Sequence, residues 1–123
     1  MQRRILFVLF AEDGCRQAHA LRYAMTLHRD GHEVRLILEG PATGLLARLE
    51  DPGDAVSSMV LEAQASGILA GACRRAAGGC GSDGDSGPAV AAARSRGIGL
   101  LEGMDGHADI GPYIRDGFEI VVL

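Results

Sequence analysis

Cys73 is followed directly by Arg74 and Arg75, and His107 lies further along the chain. Only the thiolate of a cysteine is strongly nucleophilic, and nearby cations or helix-terminal N–H groups are what bring a thiol toward that form. On this pattern Arg74 and Arg75 are expected to lower the pKa of Cys73, and His107 to accept its proton as the partner in a Cys–His pair. The alternative is a small apolar side chain closing a strand, since free cysteine is among the most buried residue types. Cys15 falls in the first turn of a helix, where the same dipole acts, but Glu12 and Asp13 beside it oppose a thiolate. Cys80 sits in a glycine-rich stretch, from which it could swing to Cys73 as a resolving thiol or stand as an incidental surface cysteine.

Other patterns carry less. Gly79-Cys80-Gly81-Ser82-Asp83-Gly84 has the form G-x-G-x-x-G, yet no helix opens at once and Asp83 and Asp85 would repel a phosphate. No lysine is present to serve a phosphate-binding loop, and Asp83 to Gly87 is too short for a calcium loop. Cys73, Cys80 and His107 are suitable zinc ligands by type, but no C-x-x-C pair brings two of them together. His19, His28 and His32 fall on or beside one helix and read as surface or packing residues.

These residues need elements to hold them. Arg4 to Phe10 is a continuous apolar run, which reads as a strand buried on both faces. Asp13 is the expected N-cap of a helix over Cys15 to Arg29, with Leu21, Ala24, Met25 and His28 on one face and Gly31 as its stop. His32 to Leu38 reads as a second strand, and Ala42 to Leu49 as a short helix burying Leu45, Leu46 and Leu49. A helix over Ser57 to Ser66 precedes a weak strand, Ile68 to Ala72. Gly78 to Gly87, with five glycines in ten residues, is expected to be a mobile loop. Pro88 opens a helix over Ala89 to Arg96. Ile98 to Leu101 is a fourth strand, Gly103 to Pro112 is mostly loop, Tyr113 to Asp116 is a short helix, and Phe118 to Leu123 is a fifth strand. Strands alternating with helices predict an α/β fold with a mainly parallel sheet of five strands. In such a sheet ligands bind beyond the carboxyl ends of the strands. That edge collects Glu12, Asp13 and Cys15, then Glu39, then Cys73, Arg74, Arg75 and Cys80, then Glu102, Asp105 and His107.

The chain has 123 residues, so it reads as a single domain over 1–123. Apolar residues make up 47% and charged residues 23%, a globular balance that excludes a disordered tail or a collagen-like repeat. All 12 basic side chains are arginine, and the net charge of −4 leaves no basic stripe for nucleic acid. No apolar run is long enough for a membrane span, and the opening run is too short for a signal-peptide core. Three cysteines make no disulfide framework, so a cytoplasmic protein is expected.

Four segments together resemble the DsrE/DsrF-like family, which includes the TusD-type sulfur-relay subunits. They are the opening strand with Ala20-Leu21-Arg22-Tyr23-Ala24 and Asp30-Gly31-His32-Glu33-Val34, then Gly71-Ala72-Cys73-Arg74-Arg75-Ala76, then Gly97-Ile98-Gly99-Leu100-Leu101, and last Gly106-His107 through Tyr113 to Gly117-Phe118-Glu119-Ile120. The resemblance spans almost the whole chain. It implies a three-layer α/β/α sheet and a homo-oligomer, trimeric or hexameric. It also aligns Cys73 with the family cysteine that carries sulfur as a persulfide. The second family cysteine position is Ala76 here. The expected function is therefore a persulfide carrier of sulfurtransferase type. Cys73 and His107 would be its reactive pair, and Arg74, Arg75, Cys80 and Cys15 possible auxiliaries. Sulfur donor and acceptor proteins would be its partners, and no cofactor or metal is implied. The alternatives are a non-enzymatic oligomeric module binding a small ligand or metal, and a Cys73/Cys80 thiol–disulfide switch.

Overall fold

The computed structural model describes residues 1–79 and 81–123. Five strands form one sheet in the order β4-β3-β2-β1-β5, and all four neighbouring pairs are parallel. The strands are β1 (Arg4–Leu9), β2 (Glu33–Leu38), β3 (Leu69–Cys73), β4 (Leu100–Leu101) and β5 (Glu119–Val122). The helices are α1 (Gly14–Arg29), α2 (Ala55–Ala65), α3 (Arg74–Ala77), α4 (Pro88–Arg96) and α5 (Gly111–Arg115), with a three-ten helix over Gly40–Arg48. The architecture is the expected three-layer α/β/α sandwich. Among the described residues no helix is long and apolar enough to cross a membrane.

Both faces of the sheet are apolar, which is why β1 reads as an unbroken hydrophobic run rather than an alternation. Ile5, Phe7 and Leu9 of β1, with Val34, Leu36 and Leu38 of β2, point to the larger core beneath α1, α2, α4 and the three-ten helix. Leu6, Val8, Ile37 and Cys73 point the other way. That second face is covered thinly, by α3, by the segment around Ala108 and by Tyr113 of α5, which meets Phe118 edge-on at 5.3 Å.

Local chemistry accounts for the boundaries. The Asp13 carboxylate accepts the Cys15 and Arg16 amides and starts α1 as expected. Asp54 likewise accepts the Ser57 amide at 3.0 Å and starts α2 two residues earlier than the apolar pattern suggests. The segment expected as a short α-helix is three-ten. Its first turn is tied by Thr43, whose hydroxyl donates to the Gly40 carbonyl at 2.8 Å, and its buried Leu45, Leu46 and Leu49 face inward as expected. Pro112 lies in the first turn of α5, not in a loop before it. A missing N–H costs nothing there.

β3 ends one residue later than expected, at Cys73, and it carries an irregularity. Leu36 of β2 pairs with Leu69, but Ile37 pairs with Gly71, so Ala70 is an extra residue. Gly71 adopts φ +150, and a Cβ there would stand 2.5 Å from the Gly99 carbonyl oxygen of the neighbouring edge. Glycine is therefore required where β3 bulges and β4 approaches. β4 is confined to Leu100–Leu101, shorter than the apolar run from Ile98, because the Ile98 amide still closes α4 on Ala93 O.

The glycine-rich segment expected to be a mobile loop is held at several described points. Gly84 is buried, and a Cβ on it would meet the Arg74 carbonyl at 2.7 Å. Arg74 pairs with Asp85, Arg75 donates to Ser82 O at 3.0 Å, and Arg94 donates to Asp85 O at 3.1 Å. The roles expected for Cys80 lie outside the described residues.

Candidate functional site

The bulge in β3 turns Cys73 onto the thinly covered face, at the carboxyl end of its strand. Register then sets its neighbour. Leu38 pairs with Ala72, so Glu39, the next residue of the adjacent strand's exit, lies beside Cys73. The third member comes from the β4–α5 connection. Met104 and His107 exchange backbone hydrogen bonds at 2.9 Å, and the two residues between them, Asp105 and Gly106, have φ of 51 and 87. A two-residue turn with both centres at positive φ favours an Asp-Gly pair. The sequence supplies that pair, and the turn delivers His107 to the site.

His107 Nδ1 stands 3.4 Å from Cys73 Sγ. The two residues that sequence reading puts at the centre of the chemistry are thus in contact. The turn that carries His107 is fixed from below by Arg75. Its backbone amide donates to Gly106 O at 3.2 Å, and its side chain lies so close over Gly106 that a Cβ there would be 2.3 Å from Nε.

The electrostatics differ from expectation. The Cys73 thiol is fully buried, and its pKa is raised, chiefly because burial penalises the thiolate. The amides of Ala76 and Ala108 face the sulfur and pull in the opposite direction, without a regular side-chain cap forming at the start of α3. The neighbouring Glu39 carboxylate also raises the Cys73 pKa.

Neither Arg74 nor Arg75 is among the groups that shift the Cys73 thiol. Arg74 is committed to Asp85 and Glu102, which raise its own pKa, and Arg75 is committed to the Ser82 and Gly106 segments. Adjacency in sequence suggested otherwise, but the first turn of α3 sends both side chains toward loops that need anchoring. No family model, curated protein or solved structure matches the chain.

Cys15 is exposed in the first turn of α1, 3.7 Å from His19 Nδ1, whose ring also meets Cys15 O at 2.8 Å. α1 packs on the larger core, so Cys15 and Cys73 belong to opposite faces of the sheet. Among the described residues no three His, Cys, Asp or Glu side chains are placed to share a metal ion. Glu39 is the residue that sequence reading placed on this edge without assigning it a role. Its position directly after the β2 apolar run, in step with Cys73 after β3, is the signal that could have found it.

The raised Cys73 pKa has a consequence for stability. A folded-state pKa above the unfolded value means the native protein holds its proton longer, so the stabilisation is fully present below the ordinary thiol pKa and is lost as pH rises toward the folded value. Urea unfolding of the native protein is expected to weaken more steeply with pH from about 8.5 upward than that of Cys73→Ala, by no more than about 1.4 kcal/mol per pH unit. Parallel pH profiles for the two proteins would count against the burial account.

Proposed function

We propose that this chain is a cytoplasmic persulfide carrier of the DsrE/DsrF type, with Cys73 as the sulfur-bearing residue and His107 as its proton partner. The observation that carries this reading is the 3.4 Å contact between Cys73 Sγ and His107 Nδ1 at the carboxyl edge of a parallel sheet. Two residues far apart in sequence meet where such sheets place their reactive groups.

The reaction balances without an outside oxidant. His107 takes the thiol proton, and the Cys73 thiolate attacks the terminal sulfur of a donor persulfide, R–S–SH. The new S–S bond forms on Cys73 as the donor's S–S bond breaks. The donor's inner sulfur leaves with the electron pair and recovers a proton, giving R–SH and Cys73–S–SH. Delivery is the same displacement, with an acceptor thiolate attacking the outer sulfur of Cys73.

Self-association belongs to the same proposal. Ile114 of α5 and Leu123 after β5 are exposed large apolar side chains. A trimer or hexamer burying them would remove apolar surface from water.

A second reading, a binding module in which Cys73 is structural, is favoured by the complete burial of the thiol and its raised pKa. One experiment separates the two. Purified protein is treated with an inorganic polysulfide and weighed intact, beside Cys73→Ser, Cys15→Ser and Cys80→Ser. The carrier reading expects one added sulfur atom, released by reductant and lost only in Cys73→Ser. No gain at Cys73 while its thiol remains free in the weighed protein would favour the binding module.

A further inference from the structure

On the Cys73 face, at the carboxyl ends of β1 and β5, lies a cavity of about 240 Å³. Val8, Phe10, Ala108, Ile110 and Val122 make its walls apolar, and Glu39 is its one ionisable group. Two of these residues are shared with the thiol site. Glu39 follows β2 in register with Cys73, and Ala108 packs with Cys73 and Val8 in one cluster. The cavity and the sulfur thus share neighbours in Val8 and Ala108.

Glu39 is the N-cap of the three-ten helix. Its Oε1 accepts the Gly40 amide at 2.9 Å, and among the described residues no arginine forms an ion pair with it. A half-buried carboxylate in an apolar wall is complementary to a cation carried on an apolar body, and it disfavours an anion.

We infer that this cavity binds the organic half of the sulfur donor, and that the donor is a small apolar persulfide bearing an ammonium group. As an assignment of substrate class this rests on the carrier reading of Cys73, whereas the binding itself does not. The ammonium pairs with Glu39, the alkyl body lies against Val8, Ile110 and Val122, and the sulfur end points toward Cys73.

The test uses the full chain in its free-thiol form with n-hexylammonium, n-hexanol and n-hexanoate as probes, followed by amide chemical shifts. Hexylammonium is expected to bind at least about tenfold more tightly than hexanoate, with the largest shifts at Glu39, Ala108 and Ile110. Glu39→Gln is expected to abolish the preference for hexylammonium over hexanol. Val122→Trp, a change at an exposed position that fills the cavity, is expected to abolish binding of both, which keeps the test decisive if Glu39→Gln does not fold. Equal binding of hexanoate, shifts centred elsewhere, or no saturation by hexylammonium at millimolar concentration would overturn the inference. Binding without sulfur loading of Cys73 would retain the cavity assignment and remove the carrier reading. Loading of Cys73 without hexylammonium binding would do the reverse.

Discussion

In a Cys80→Ser background, iodoacetamide is expected to label Cys15 at least about a hundredfold faster than Cys73 in the native protein, and at comparable rates once the chain is unfolded. Cys15 is exposed in the first turn of α1, whereas Cys73 is fully buried between β3, α3 and the Ala108 segment. Two barriers multiply. The reagent reaches the sulfur only when its cover opens, and the pKa raised by burial and by Glu39 lowers the reactive fraction even then. Mass spectrometry of quenched samples with peptide assignment measures both rates. Labelling of Cys73 as fast as Cys15 would show that the site is open in solution.

The same measurement bears on mechanism. A carrier cysteine must meet its donor, so transfer at Cys73 requires a displacement that uncovers it. The cover most readily moved is the β4–α5 connection, which has few buried side chains besides Ala108. Within it the Asp105–Gly106 turn is clamped by Arg75. Arg75 therefore holds the turn that carries His107. Glu39→Gln removes one opponent of the thiolate and is expected to speed Cys73 labelling several-fold, leaving Cys15 unchanged.

Gly71→Ala is expected to cost about 2–4 kcal/mol, combining backbone strain at positive φ with overpacking. The added Cβ would lie 2.5 Å from Gly99 O and about as close as contact allows to the Leu101 side chain, at 3.0 Å. Relief requires β4 to leave β3 or the bulge to be lost, and either moves Cys73. Urea unfolding should show a midpoint lower by roughly 1–2 M at unchanged slope. Gly44→Ala is the control. Nothing lies within 4 Å of its Cβ position, and its effect should stay within about 0.5 kcal/mol. A Gly71→Ala protein as stable as the Gly44→Ala protein would remove the reason given for glycine in β3.

The five strands and the longer helices were legible in the sequence because local rules fix them, whereas the three-ten form of Gly40–Arg48 and the short α3 were not. Apolar runs of strand length alternate with helical periodicity, Asp13 supplies a cap, and Pro88 sits where a helix tolerates it. The collection of Cys73, His107 and Glu39 on one edge was also legible, since a parallel sheet gathers the residues that follow its strands.

What the chain order could not decide was direction. Strict alternation from Leu69, which packs on the larger core, would put Cys73 on that same face. The extra residue at Ala70 reverses the alternation, so Ala72 faces the larger core and Cys73 the other side. That bulge exists because Gly71 and Gly99 let two backbones approach, a relation between strands that no local pattern encodes. The arginines show the same limit. Arg74 and Arg75 are neighbours of Cys73 in sequence, but their partners, Asp85, Glu102, Ser82 and Gly106, come from segments that only folding brings near. Sequence determined which residues could do chemistry and at which edge. Tertiary structure decided which face they share, what surrounds the sulfur, and that burial and Glu39 hold it as a thiol.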